Sequence, residues 1–194
     1  MLALRPADGA SDTRAVADDV ESPGQSWVDD GLDDLHQHLR EAHRPTADKK
    51  RSKGPDDAKA EVPAKSGRGR RVIFDMSGQR VWLVRANGSV RDTYLVSGSR
   101  SANLKPGRYK VFSRSRHATG YDQHSTMQYF VRFTHGKNAA IGFHDIPVDR
   151  RGNLVQAVDD LGTPQSAGCI RQRRPEAKRM WKFATTDTRV VVVA

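Results

Sequence analysis

Short runs of strand-forming residues, separated by turn dipeptides, recur from residue 71 to the end of the chain. The turn dipeptides are Ser77-Gly78, Asn87-Gly88 and Pro106-Gly107. The second of these is the strongest signal, because an Asn-Gly pair favours the two-residue connection of a β-hairpin. The runs between turns occupy residues 71–76, 80–85, 90–97, 109–113, 129–134, 139–143 and 190–193. Many short strands at regular spacing predict a mainly β fold, either a β-sandwich or a barrel-like arrangement.

One helix is predicted near the C-terminus. Pro175 suits the first helical position, and Glu176 suits the positive end of a helix. An apolar stripe follows at Ala177, Met180, Trp181 and Ala184. This spacing predicts a helix that runs to about residue 185 and covers one sheet.

The N-terminal third of the chain differs from the rest in charge and composition. Residues 1–67 carry 10 Lys and Arg against 14 Asp and Glu, a net charge of −4, whereas residues 68–194 carry 23 against 9, a net charge of +14. The first part has five prolines and little apolar clustering, so we expect a disordered, mixed-charge linker over 1–67 and one folded domain over 68–194. Within the linker, a short helix over 27–42 fits the helical spacing of Trp27, Val28, Leu32, Leu35 and Leu39.

Composition excludes several classes of protein. The longest aliphatic run, residues 190–193, is far shorter than the roughly 20 residues of a membrane span, so no transmembrane segment is expected in this chain. A single cysteine excludes an internal disulfide framework and a Cys-based zinc ribbon. Residues 1–24 contain acids and prolines but no apolar core of an export signal. The protein is therefore expected either to remain inside the cell or to have an export signal that precedes this sequence.

Cys169 is the first candidate for chemistry. Gly168 precedes it and permits backbone conformations in which main-chain N–H groups face a reacting carbonyl, while Arg171 adds a positive charge two residues later. A thiol acts as a nucleophile in its thiolate form, which a nearby base or positive field favours. The alternative is a small buried core residue, which is a common role for a free cysteine.

A nucleophilic cysteine also needs a base, and His144 is the best placed of the seven histidines. It ends the apolar run 139–143, and side chains at strand ends are often exposed on a rigid frame. An ordinary capping or core histidine is the alternative. His36, His38 and His43 lack a supporting ligand pattern, so no metal site is predicted.

Two linked motifs resemble those of the L,D-transpeptidase catalytic domain of the YkuD type. They are Ile-Gly-Phe-His-Asp-Ile-Pro at 141–147 and Ser-Ala-Gly-Cys-Ile-Arg-Gln at 166–172. The likeness extends over about residues 70–194, including the Pro-Gly-Arg-Tyr segment at 106–109 and the closing helix and strand. The sequence departs from the commoner family pattern at Ala167, where many members have His, and at Asp145, where Gly or Ser is common.

The resemblance implies a fold, an activity and a set of site residues. The fold would be a β-sandwich or barrel-like arrangement of mixed sheets, with one covering helix near the C-terminus. Cys169 would attack a peptidoglycan stem peptide, form a thioester acyl-enzyme and yield a 3–3 cross-link, with His144 as the base. The further residues implied are Gly168, Arg171 and Ser166 in the catalytic machinery, and Tyr129, Phe143 and Asp145 at the substrate. No cofactor or metal is implied.

Partners and alternatives follow from the same reasoning. Stem peptides would be donor and acceptor, a carbapenem would be an inhibitor, and the enzyme would act on the extracytoplasmic, cell-wall side. The basic domain favours anionic surfaces such as wall polymers, whereas the absence of a recognition-helix pattern argues against nucleic acid.

The alternative functions are an L,D-carboxypeptidase, a sortase-like transpeptidase, and a non-catalytic basic module that binds the cell wall. A papain-like or NlpC-type peptidase is disfavoured, because there the cysteine precedes the histidine.

Overall fold

Ten strands and one α-helix make up the part of the chain that the computed structural model describes, residues 60–194. The strands are β1 (Arg71–Asp75), β2 (Arg80–Val84), β3 (Val90–Leu95), β4 (Gly107–Lys110), β5 (Ser113–Thr119), β6 (Ser125–His135), β7 (Ala140–Asp145), β8 (Val148–Asp149), β9 (Ile170–Gln172) and β10 (Arg189–Val193). The first sheet has the order β3-β2-β1-β10-β4, and the second has the order β5-β6-β7-β9 with β8 also paired to β6. Parallel pairs occur in both sheets, β1 with β10 and β7 with β9. The prediction of a mainly β fold with mixed sheets is confirmed, whereas the predicted helix over 27–42 lies outside the described residues.

The hairpin between β2 and β3 forms where the Asn-Gly pair predicts it. Gly88 has a φ of +87°, a left-handed conformation that glycine adopts without steric cost. The Arg85 N–H donates to the Ser89 carbonyl oxygen at 2.9 Å, and the Asn87 side chain accepts from the Ser89 N–H at 3.1 Å. The turn therefore connects β2 and β3 and brings Val84 opposite Val90.

The main core lies between the two sheets. Val72 and Phe74 of β1 belong to the same buried cluster as Val131 and Phe143 of the second sheet. The alternate residues of the first sheet, including Ile73 and Trp82, form a second cluster on its outer face.

The outer cluster is covered by the residues just before β1. Ala60 and Val62 pack against it, and the Trp82 Nε1–H donates to the Ala60 carbonyl oxygen at 3.1 Å. A short 3-10 helix, Ala64–Ser66, follows this contact. Residues 60–66, on the linker side of the predicted boundary at 67, therefore pack on the first sheet.

The predicted C-terminal helix is present as α1 (Arg174–Phe183), and it ends slightly before the expected residue 185. The Glu176 carboxylate accepts the Arg173 N–H at 3.1 Å and so caps the first turn. Met180 and Phe183 are fully buried in the main core, which contributes about 1.5–3 kcal/mol each. Within residues 60–194 no helix is long and apolar enough to cross a membrane.

Three strands, β5, β8 and β9, were not predicted from the sequence, and β5 is the longest of them. β5 has the sequence Ser-Arg-Ser-Arg-His-Ala-Thr, in which no apolar residue alternates with polar ones. It is an edge strand, and its hydrogen bonds to β6 rather than apolar burial hold it in the sheet.

Candidate active site

The parallel pairing of β7 with β9 brings the two sequence motifs together. Phe143 is in register with Ile170, and His144 is in register with Arg171. Cys169 immediately precedes β9 and is therefore level with Gly142. Because side chains alternate across a strand, His144, Cys169 and Arg171 share one face of the sheet. These three residues line a single cavity of about 270 Å³.

Gly142 allows the strands to approach closely beneath the thiol. A Cβ atom at this position would lie 2.1 Å from the Val131 carbonyl oxygen of β6, so a side chain cannot be accommodated without moving the backbone. The backbone of Gly142 also forms a hydrogen bond with the Cys169 sulfur that lowers the thiol pKa. Gly142 therefore permits the close approach of the strands and also lowers the pKa of the Cys169 thiol.

His144 is held in one tautomer. It is 2% exposed, and its Nδ1 lies 2.5 Å from the Asp145 carbonyl oxygen. Because a carbonyl oxygen only accepts, Nδ1 carries the proton and Nε2 is left as the basic nitrogen. The Phe130 ring and the imidazole are in T-shaped contact, with ring centroids 5.3 Å apart.

The histidine is neutral at neutral pH. Burial lowers the pKa of His144 from 6.5 to about 4; the hydrogen bond to Asp145 acts in the opposite direction, and the charges of Arg171 and Arg132 lower the pKa further. A neutral imidazole is the form that can accept a proton from a thiol.

Cys169 is half-buried and is a thiol in the resting state. Burial raises the thiol pKa, while the Gly142 backbone and the positive charges of Arg171 and Arg132 lower it. The S–H group lies 3.7 Å from the Ala140 carbonyl oxygen. The site therefore holds a neutral thiol and a neutral base, which suits proton transfer at the moment of attack rather than a preformed ion pair.

Ser166 organises the loop that carries the thiol. Its side chain is buried; Oγ accepts the Gly168 N–H at 3.1 Å and donates to the Cys169 carbonyl oxygen at 2.5 Å. The Gly168 N–H is thus used within the loop. The Ser166 backbone bonds to the segment after β3 through Gly98 and Arg100, which fixes the loop against the rest of the fold.

Asn103 is a site residue that the sequence analysis missed. Its Nδ2 donates to the Ala167 carbonyl oxygen at 2.9 Å, and its Oδ1 accepts the Lys137 N–H at 3.0 Å. The side chain therefore ties the cysteine loop to the turn between β6 and β7. No local signal marks this residue, because it lies in an irregular segment and its partners are remote in sequence.

Two arginines direct positive charge toward the thiol. Arg171 donates to the Gln156 side chain at 3.3 Å and to the Gln165 carbonyl oxygen at 3.4 Å, and no carboxylate within residues 60–194 forms an ion pair with it. Arg132 of β6 donates to the Ser115 hydroxyl at 2.9 Å. Both charges lower the thiol pKa and so oppose the effect of burial.

The structure brings together five of the predicted site residues and separates three. His144, Ser166, Gly168, Cys169 and Arg171 line the cavity. Phe143 is fully buried in the main core against Phe133. Tyr129 lies beside α1, in edge contact with Trp181, and Asp145 is buried beside the helix start. Neither Phe143 nor Tyr129 nor Asp145 lines the cavity.

The side chains that could bind a metal ion are scattered over the described residues. Among residues 60–194, no group of three or more His, Cys, Asp or Glu side chains is arranged so that it could hold a metal ion.

The geometry defines the class of protein. It is a two-sheet β domain in which a thiol and an imidazole line one cavity. Residues 69–192 match the YkuD family, which is described as the L,D-transpeptidase catalytic domain. This match spans well over half of the chain, and the chain belongs to that family. No curated protein sequence is significantly similar to the chain.

Solved structures share the fold at low sequence identity. An LD transpeptidase in complex with imipenem is 20% identical, with a TM-score of 0.52, over 66% of this chain and 60% of the other. An L,D-transpeptidase from Mycobacterium smegmatis is 14% identical, with a TM-score of 0.52 and the same coverage. L,D-transpeptidase 3 from Mycobacterium tuberculosis, in complex with a faropenem-derived adduct, is 17% identical, with a TM-score of 0.51, over 66% of this chain and 61% of the other. The chain thus spans about 60% of the length of these structures, and the likeness concerns the fold.

Proposed function

We propose that this protein is a cysteine-dependent L,D-transpeptidase that forms 3–3 cross-links between peptidoglycan stem peptides. The observation that carries the proposal is that the Cys169 thiol and the neutral, tautomer-fixed His144 line one cavity. Membership of the L,D-transpeptidase catalytic domain family supports the choice of substrate class.

The first half-reaction forms a thioester. His144 Nε2 takes the thiol proton as the Cys169 sulfur attacks the carbonyl carbon of the third, diamino-acid residue of a stem tetrapeptide. The peptide C–N bond then breaks, and the proton passes from the imidazole to the departing amine of the terminal D-Ala. The products are free D-Ala and an acyl-enzyme.

The second half-reaction makes the cross-link. The side-chain amine of a neighbouring stem attacks the thioester carbonyl and gives its proton to His144 Nε2. The C–S bond breaks, and the sulfur recovers a proton from the imidazole. Holding donor, acceptor and base in one cavity supplies the orientational part of the catalysis.

The positive charges suit the chemistry of both steps. Arg171, which has no carboxylate partner among the described residues, lies level with His144 and is available to a stem-peptide carboxylate or to the developing thiolate. The excess of positive charge over residues 68–194 also suits anionic wall polymers as a wider binding surface.

Two further properties belong to the proposal. A carbapenem would acylate Cys169, since its strained amide is attacked as the substrate amide is; the solved relative in complex with imipenem supports this expectation. The enzyme would act on the extracytoplasmic side, where the cell wall is assembled, with residues 68–194 as the catalytic domain.

Purified disaccharide-tetrapeptides test the proposal directly. The wild-type chain is expected to release D-Ala and form dimers that carry a 3–3 bond, as resolved by liquid chromatography and mass spectrometry. Cys169→Ser and His144→Ala should each abolish the dimers, whereas His117→Ala, a change in the edge strand β5, should not. Near-normal turnover in either site variant would remove the role assigned to that residue.

The same assay separates the alternatives. Release of D-Ala without dimers would identify an L,D-carboxypeptidase, in which water replaces the amine. Binding of the muropeptides with no release of D-Ala would identify a non-catalytic wall-binding module.

A further inference from the structure

A buried ion pair lies directly behind the candidate base. Arg174, the first residue of α1, donates from Nη1 to Asp145 Oδ2 at 2.8 Å. The side chains of Arg174 and Asp145 are only 18% and 4% exposed. A buried pair of this kind is costly to break, because removing one partner leaves an uncompensated charge.

Gln128 closes the ion pair into a ring. Its backbone N–H donates to Asp145 Oδ1 at 2.6 Å, and its side-chain oxygen accepts from Arg174 Nη2. Both oxygens of the Asp145 carboxylate therefore have fixed donors, and both terminal nitrogens of Arg174 are used.

The ring occupies a break in the second sheet. β6 pairs with β8 at Ser125 and Thr126 and with β7 from Val131 onward. The Gln128 N–H lies between these two ladders, and the Asp145 carboxylate takes the place of a strand partner. The side chain thereby fixes the end of β7, where His144 lies.

The link to the base runs through the Asp145 backbone. The carbonyl oxygen of the same residue holds His144 Nδ1. With the side chain clamped at both oxygens, the residue has little freedom to rotate, so its carbonyl keeps one direction relative to the imidazole. If the hydrogen bonds to the Asp145 carboxylate are lost, the Asp145 carbonyl can rotate away from His144 Nδ1, and either imidazole nitrogen can then carry the proton.

We propose that Asp145 and Arg174 form a positioning unit that holds His144 with its proton on Nδ1 and with Nε2 directed into the cavity. The unit couples the first residue of α1 to the base, and neither side chain lines the cavity. The inference rests on the proposed function only because that function makes His144 the base.

A second ion pair of α1 provides the matched control. Arg179 pairs with Asp92 of β3, whose side chain is also buried, at 9% exposure. This pair likewise anchors α1 to a strand, but it has no contact with His144. If the Asp145–Arg174 pair merely fastens the helix, substitutions in the two pairs should have similar effects on the reaction.

The kinetic experiment compares Asp145→Asn, Arg174→Gln, their double variant and Asp92→Asn in the full chain. The readout is the single-turnover rate of acylation by a carbapenem. We expect each change at the unit to slow acylation by about 10- to 100-fold, as is typical when groups that orient a reactive side chain are removed. The double variant should be no slower than the slower single variant, and Asp92→Asn should stay within about twofold of wild type. Equal losses in Asp145→Asn and Asp92→Asn would overturn the proposal.

A spectroscopic readout decides the question independently of activity. Long-range ¹H–¹⁵N correlation spectra report which imidazole nitrogen carries the proton, and His144→Ala assigns the signal. Wild type and Asp92→Asn should show the Nδ1–H tautomer, whereas Asp145→Asn and Arg174→Gln should show a mixture. An unmixed Nδ1–H tautomer in both unit variants would overturn the proposal even if wild type reacts with the carbapenem.

Two safeguards keep the outcomes distinct. Circular dichroism at the assay temperature verifies folding, and Arg174→Lys, which keeps the charge but replaces the two-nitrogen fork with a single ammonium nitrogen, replaces any variant that fails to fold. If wild type is not acylated, the proposed function fails, while the tautomer comparison still tests the positioning unit.

Discussion

The pH dependence of acylation is the sharpest consequence of burying the imidazole. Because burial lowers the pKa of His144 from 6.5 to about 4, the neutral base persists into acid. At pH 5, a pKa of 4 leaves about 90% of the imidazole neutral, whereas a pKa of 6.5 would leave only about 3%. The structure therefore predicts an acylation rate at pH 5 that is within about 10–20% of its neutral plateau, where a solvent-exposed histidine would give a loss of about 30-fold.

The assay is single-turnover reaction with a carbapenem, followed by the loss of β-lactam absorbance between pH 4 and pH 9. The buried histidine binds its proton at lower pH in the folded state than in the unfolded chain. Stability therefore decreases as pH falls from about 6.5 toward 4, and circular dichroism must verify folding at each point. A half-maximal rate near pH 6.5 in a fully folded sample would refute the argument that burial sets the basicity of this residue.

Three further predictions concern the site and the helix. Gly142→Ala should lower the free energy of unfolding by about 3 kcal/mol in urea titrations, because its Cβ would lie 2.1 Å from the Val131 carbonyl oxygen; a change under 1 kcal/mol would mean that the backbone yields easily. Ser166→Ala should slow carbapenem acylation by about 10- to 100-fold, since it leaves two polar groups of the cysteine loop without their partner, at about 1–3 kcal/mol each, whereas Ser89→Ala in the exposed hairpin turn should have no effect. Burial raises the pKa of Glu176 from 4.5 to about 7, so its contribution to stability falls as pH rises through that interval. The free energy of unfolding of Glu176→Gln, relative to that of wild type, should therefore rise by up to about 3 kcal/mol between pH 4.5 and pH 8 in urea titrations. An equal difference at both pH values would contradict the raised pKa of Glu176.

Local chemistry made part of the fold predictable. The hairpin at Asn87-Gly88 depends on a conformation that the dipeptide itself favours, and α1 depends on a start signal and an apolar stripe that are contiguous in sequence. β5 was not predictable in this way, because its stability comes from hydrogen bonds to a neighbouring strand rather than from its own pattern.

The candidate site was predictable only as two separate motifs. The alternation of a strand puts neighbours on opposite faces, so a His144 that faces the cavity already places Phe143 in the core. The orientation of Tyr129 is harder to predict. Its φ is +57°, and no neighbouring residue indicates a left-handed conformation within a long strand. The roles of Asn103 and Arg174 depend on partners that are 64 and 29 residues distant, which no local pattern encodes.

Intact-protein mass spectrometry after exposure to a carbapenem tests the nucleophile most directly. We predict one covalent adduct on the wild-type chain, mapped by peptide digestion to Cys169, and no adduct on Cys169→Ala. An unmodified wild-type chain, or an adduct that persists in the alanine variant, would contradict the assignment of this thiol as the reactive group.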